Sequence, residues 1–339
     1  MDRQTRRLSL FVAAALTLAA NGLLLAQTST LYTAVVSTKL FVVGAPNLQT
    51  GLFYQSTDGE TAWRHAGPVN IRAFGVAVGP ASHGRVLYIA AGNGLHKSSD
   101  AGTTWRITTG WDITEVLWVF PDPVDSNIVF IATPYGVCKT TNGCRTWRYV
   151  NRGLKELFCS CVLVDPERRN VVYCASEGGA YKSTSGGESW ERMGLSVGGV
   201  RTIALHPKDS NTLMAGTENH GIYLSTNGGE WWTKCESGVD HQTFYTIAYD
   251  PVNPDVVYAG GYVTGVYKST DGGRSWKHYQ EGLLCPTLHT IAVDPADPRR
   301  VYAGGYWGGI YRSTDGGEHW SSAGLPEAQV WKMVIEPKR

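Results

Sequence analysis

Hydrophobic positions along this chain fall into short runs of four to six residues, broken at near-regular intervals by proline, glycine, aspartate and asparagine. A representative stretch reads TIAVDP (290–295), VYAGG (301–305), then GIYRSTDGG (309–317). Each run has the length of a β-strand and each break the chemistry of a turn, so almost no helix is expected. The segments ending in tryptophan align along the whole chain: 56–63, 98–105, 140–147, 183–190, 225–232, 269–276 and 313–320. Their tryptophans, Trp63, Trp105, Trp147, Trp190, Trp232, Trp276 and Trp320, are 42, 42, 43, 42, 44 and 44 residues apart. Four short strands repeated at that period are the signature of a propeller blade. The sequence predicts an all-β fold, a single seven-bladed β-propeller of four-stranded blades. Small residues such as Ala259, Gly260, Ala303 and Gly304 suit the crowded inner strands.

The phase of the repeat carries a further expectation. The chain enters at a second strand, assigned to LFVVGA (40–45), and ends on an additional first strand, VWKMVIEP (330–337), which completes the first blade. LYTAVV (31–36) competes for that closing role. Closure of this kind removes exposed strand edges.

The repeated segment resembles the Asp-box, or BNR, motif Ser-x-Asp-x-Gly-x-Thr-Trp of sialidases, sortilin-like propellers, xyloglucan-degrading glycoside hydrolases and photosystem II assembly factors. The resemblance covers essentially all of the chain after the N-terminal segment. In each box the acidic residue accepts backbone hydrogen bonds, glycine supplies positive φ, and tryptophan packs over the hairpin. The acidic position holds Asp58, Asp100, Asp271 and Asp315, but Asn142, Ser185 and Asn227 in the other blades. A turn tolerates that exchange and an active-site carboxylate does not, so the boxes read as structural.

Composition and charge narrow the function classes. Lysine plus arginine (30) nearly equals aspartate plus glutamate (29), with no block of like charge, which argues against a nucleic-acid partner. Arg3, Arg6 and Arg7 precede an apolar run from Leu8 to Ala26, the pattern of a secretory signal cleaved near Ala26. Leu24 is bulky for such a site, and the run is long enough to stay as a membrane tether. The expected organisation is residues 1–26 as signal peptide or anchor and 27–339 as the propeller, in an extracytoplasmic location. Ser9 stands where a twin-arginine signal has a bulky residue, so the general secretory route is expected.

The seven cysteines, Cys138, Cys144, Cys159, Cys161, Cys174, Cys235 and Cys285, include no C-x-x-C and read as buried thiols. Cys159 and Cys161 share a strand, with Cys174 expected on the opposite face. The nine histidines form no metal-binding motif and no phosphate loop is present, so neither metal nor cofactor is expected. The Asp-Pro pairs at Asp122, Asp165, Asp250 and Asp294 read as turns.

Residues outside the repeat consensus collect on the loops that enter first strands or join second to third strands, and these share one propeller face. They are Arg72, Glu115, Tyr135, Glu156, Arg201, Glu218, His220, His241, Tyr245, Tyr262, His289, Tyr306, Trp307 and Trp331. The expected function is a non-catalytic binding or assembly scaffold for a protein, peptide or glycan on that face. Sialidase activity is not expected, because no Arg-Ile-Pro segment occurs. A xyloglucanase cleft needs a second propeller that this chain is too short to supply. The alternative is a glycoside hydrolase with Glu115, Glu156 and Glu218 as its acids.

Overall fold

The computed structural model describes residues 29–38, 50–58, 62–80, 85–236 and 238–337. They form seven sheets of four antiparallel strands, and no helix occurs among the described residues. The innermost strands, from blade 1 to blade 7, are Ala328–Pro337, Ala73–Val78, Trp118–Pro121, Cys159–Val164, Val200–His206, Phe244–Tyr249 and Leu288–Val293.

Each blade packs both faces against neighbours, so its second strand is buried on both faces along most of its length instead of alternating. Val172–Ser176 and Val301–Gly305 are buried at every position. Seven hydrophobic clusters result, each spanning two adjacent blades; one joins Tyr173 and Cys161 of blade 4 to Val200 and Leu213 of blade 5. Small residues set the approach of these layers. A Cβ placed on Gly304 would lie 2.4 Å from Cγ1 of Val330 in the next inner strand. Third-strand lysines clamp adjacent blades: Lys97, Lys139 and Lys182 donate to the carbonyls of Gly143, Gly186 and Gly228 at 3.2, 2.7 and 3.1 Å.

The C-terminal strand completes blade 1, as the repeat phase predicts. Ala328–Pro337 is its innermost strand and pairs with Ser29–Thr38, which pairs in turn with Gly51–Ser56. The second-strand position therefore belongs to 29–38, which contains LYTAVV; the run 40–45 assigned to it lies outside the described residues, as does segment 1–28. The ring is also tied across the closure. Ser29 donates to Asp294 at 2.8 Å, Trp63 Nε1 to the Ala323 carbonyl at 2.8 Å, and the Met333 amide to Thr290 at 3.0 Å.

The cysteine faces differ from expectation. A bulge at Ser160 shifts the register between Cys159 and Cys161, so the two thiols point to opposite faces. Cys159 joins Cys174 in one cluster, and Cys161 lies in the next. All seven cysteines are buried and free. The Asp-Pro aspartates cap turns: Asp122 accepts from the amides of Val124 and Asp125, both at 2.9 Å, and Asp250 from those of Val252 and Asn253.

In the six repeated boxes that lie wholly among the described residues, the third residue is an acceptor whatever its identity. The amide four residues on donates to Asp100 at 2.8 Å, to Asn142 at 3.0 Å, to Ser185 at 3.1 Å, to Asn227 at 3.0 Å, to Asp271 at 2.9 Å and to Asp315 at 3.1 Å. Where the residue is Asn142, its amide group donates to the Thr146 hydroxyl at 2.8 Å; where it is Asp100, the Thr104 hydroxyl donates to the carboxylate at 2.6 Å. The hydroxyl reverses and the turn survives. Asp271→Asn, which keeps the turn but loses the ionised acceptor, is accordingly expected to cost about 1 kcal/mol. Trp276→Ala, which removes a buried indole bonded to the Gly273 carbonyl at 3.0 Å, is expected to cost about 3–5 kcal/mol.

Burial works against ionisation of Asp271, but hydrogen bonds from Ser275, Ser269 and Arg274 outweigh it and hold the carboxyl down to about 2. An unfolded aspartate takes up its proton at about pH 3.9. The charge of Asp271 thus stabilises the fold fully above about pH 4, and that contribution is lost as pH falls toward 2. Urea midpoints measured from pH 6 to pH 2 should fall less steeply for Asp271→Asn than for the parent chain; equal slopes would refute this role.

Candidate functional site

Near the start of each inner strand one extra residue interrupts the ladder. Register shifts fall between Ala73 and Gly75, Cys159 and Cys161, Val200 and Thr202, Phe244 and Thr246, and Leu288 and Thr290. In blade 1, Val330 and Lys332 face successive residues Val35 and Ala34, which leaves Trp331 unpaired. In blade 3, Leu117 and Trp118 both address Ala132. A bulge bends the strand and re-aims the extra side chain. The seven residues so displaced are Phe74, Leu117, Ser160, Arg201, Tyr245, His289 and Trp331, one per blade.

All seven line one cavity of about 290 Å³ at the mouth of the central channel, joined by Trp118 and Phe158. The mouth opens on the face carrying the loops into first strands and the hairpins between second and third strands. Four successive blades build an aromatic arc. Tyr245 stacks on His289 (5.2 Å, 23°), His289 on Trp331 (4.6 Å, 9°), and Trp331 meets Phe74 edge-on (5.2 Å, 77°). Burial lowers the His289 pKa to about 4, so this ring is neutral at physiological pH. His289 Nε2 and the indole nitrogens of Trp118 and Trp331 are buried with no protein hydrogen-bond partner.

The opposite wall carries Arg201, whose guanidinium is paired with Glu218 and lies 3.5 Å from Glu177. Below the mouth, Lys332 follows Trp331 on the same strand and reaches Trp118, two blades away, with its ammonium 3.9 Å from the ring centroid. The intervening blade has Gly75 at the equivalent position, which leaves room for it. Burial lowers the Lys332 pKa to about 8.

Of the residues singled out in the sequence, Arg201, Tyr245, His289 and Trp331 line the cavity. Glu218 pairs with Arg201, and Arg72 places its guanidinium 5.4 Å from the Phe74 ring. Tyr306 packs on His289 (6.3 Å) and Trp307 (5.4 Å) at the rim. Glu115, Tyr135, Glu156, His220, His241 and Tyr262 lie outside the cavity lining. The sequence reading missed Phe74, Leu117, Trp118, Phe158 and Ser160. It also missed Trp111, which is 99% exposed on the segment leading into blade 3. Among the described residues no group of three or more His, Cys, Asp or Glu is arranged to hold a metal ion.

No family model and no curated protein matches the chain. Solved structures do. The GH74 xyloglucanase from Xanthomonas campestris is 19% identical over 74% of this chain and 45% of that one, with a TM-score of 0.58. YCF48 bound to D1 peptide is 13% identical over 92% of this chain and 97% of that one, TM-score 0.58. A chain of a nidogen/laminin complex is 9% identical over 92% and 99%, TM-score 0.58. What they share with this chain is the fold. This chain spans less than half the length of the GH74 enzymes it matches, 32% in one case and 45% in two, and it spans nearly all of the other two.

Proposed function

We propose that this chain is a non-catalytic binding module that receives a peptide or protein segment on the face bearing the channel mouth, with residues 1–26 directing it out of the cytoplasm and either removed or kept as a tether. The observation that carries this reading is the chemistry of the cavity. Its nine lining residues include no aspartate or glutamate, and its one cation, Arg201, is already paired. Glycoside hydrolysis needs two carboxyl groups flanking the scissile bond. Of Glu115, Glu156 and Glu218, none lines the cavity, and Glu218 is committed to Arg201. Aromatic groups with a few polar atoms are instead the composition of binding hot spots. The repeated turns belong in this reading to the Asp-box type and act as scaffold. Similarity to propellers seen with a peptide and in a protein complex supports the reading at the level of fold.

The test is to screen the full chain against peptide and glycan arrays and a panel of glycoside substrates. Peptide binding with no turnover is expected, retained in Glu218→Gln. Turnover abolished by Glu218→Gln would overturn the proposal in favour of a hydrolase, and binding confined to glycans would replace the ligand class.

A further inference from the structure

Four of the seven displaced residues, Phe74, Tyr245, His289 and Trp331, present flat rings to the cavity, and the two cations nearest it, Arg201 and Lys332, are already engaged. We propose that the group the cavity receives is a neutral, planar aromatic ring, supplied by a phenylalanine, tyrosine or tryptophan side chain of the bound segment; this rests on the reading of the face as a peptide-binding surface.

The geometry favours a ring. Tyr245, His289 and Trp331 stand nearly parallel, with interplanar angles of 23° and 9°, and Phe74 turns edge-on at the end of the arc. Because these rings turn their faces to one another, an inserted ring meets their edges, the edge-to-face arrangement that aromatic quadrupoles favour. A cavity of about 150 Å³ takes up a benzene ring, so the volume of about 290 Å³ has room for an aromatic side chain but not for a folded segment.

The charges exclude the alternatives. A cationic side chain would find no carboxylate in the lining, and the face of Trp118 that would attract a cation already holds the Lys332 ammonium. An anionic group would find Arg201 engaged by Glu218 and Glu177, and Lys332 is not part of the lining. His289, kept neutral by burial, adds no charge of either sign. Phe158, 36% exposed, forms the apolar lip over which the ring passes.

Saturation-transfer NMR on the full chain, with benzyl alcohol, benzylammonium, phenylacetate and cyclohexylmethanol as probes, tests this directly. Benzyl alcohol should bind in the millimolar range and the other three at least about tenfold more weakly. Trp331→Ala should weaken benzyl alcohol at least about fivefold. Phe158→Ala, at the exposed lip and outside the packed interior, should do so with an unchanged melting temperature. Equal binding of either charged probe or of cyclohexylmethanol, or indifference to both substitutions, overturns the proposal. If array peptides bind equally well without an aromatic residue, the aromatic anchor fails and the binding module stands. If benzyl alcohol binds as described and no peptide does, the ring selectivity stands and the peptide reading fails.

Discussion

A chain that ends at Pro326 is expected not to fold. The strand Ala328–Pro337 supplies the innermost layer of blade 1 and pairs with Ser29–Thr38 along its length. Ala328, Val330 and Met333 are at most 2% exposed, and they form a cluster with Leu31, Val35, Tyr302 and Ile310 that joins blades 7 and 1. Removing one large buried aliphatic side chain costs about 2–5 kcal/mol. Losing two together with the strand's hydrogen bonds exceeds a typical net stability of about 5–15 kcal/mol. The truncated chain should show no cooperative thermal transition, and a synthetic peptide of residues 326–339 added in trans should restore one. A cooperative transition in the truncated chain within a few degrees of the parent would show that closure through this strand is not what holds the ring together.

The same strand illustrates what the sequence does and does not disclose. Blade number and phase were legible because seven tryptophans mark seven equivalent turns, and because a spare first strand follows the last of them. The second strand of blade 1 was not. LYTAVV and LFVVGA are apolar runs of equal length, and hydrophobic period does not distinguish them. What decides is pairing: 29–38 is long enough to bond to both Ala328–Pro337 and Gly51–Ser56.

The site was half legible for a related reason. Alternation by two assigns each strand residue to one of two blade faces, and a bulge breaks that rule by turning one residue toward the channel. The four lining residues found from sequence, Arg201, Tyr245, His289 and Trp331, are polar or conspicuously large against a strand background. Phe74, Leu117 and Ser160 occupy the same position in blades 2, 3 and 4 yet look like ordinary strand residues. A signal did exist. In blades 5, 6 and 7 the displaced residue directly precedes Thr-Ile-Ala, at Arg201, Tyr245 and His289. Reading that column through all seven repeats yields the complete ring. Trp118 and Lys332 stand one position further on, where three other blades carry threonine. Their contact across Gly75 required the fold to be seen.

The claim that the ring of displaced residues is the binding site is tested most directly by filling it. Leu117 is half-buried in the cavity wall, and Leu117→Trp introduces an indole into the space an incoming ring would occupy. Added bulk in a closed core costs about 1–3 kcal/mol, but this side chain faces an open mouth, so the melting temperature should stay close to that of the parent. For a peptide recovered from the array, the dissociation constant measured by calorimetry should rise by about a hundredfold or more in Leu117→Trp, with the fold intact. An unchanged affinity in a folded Leu117→Trp protein would place the ligand elsewhere on the propeller and contradict the account.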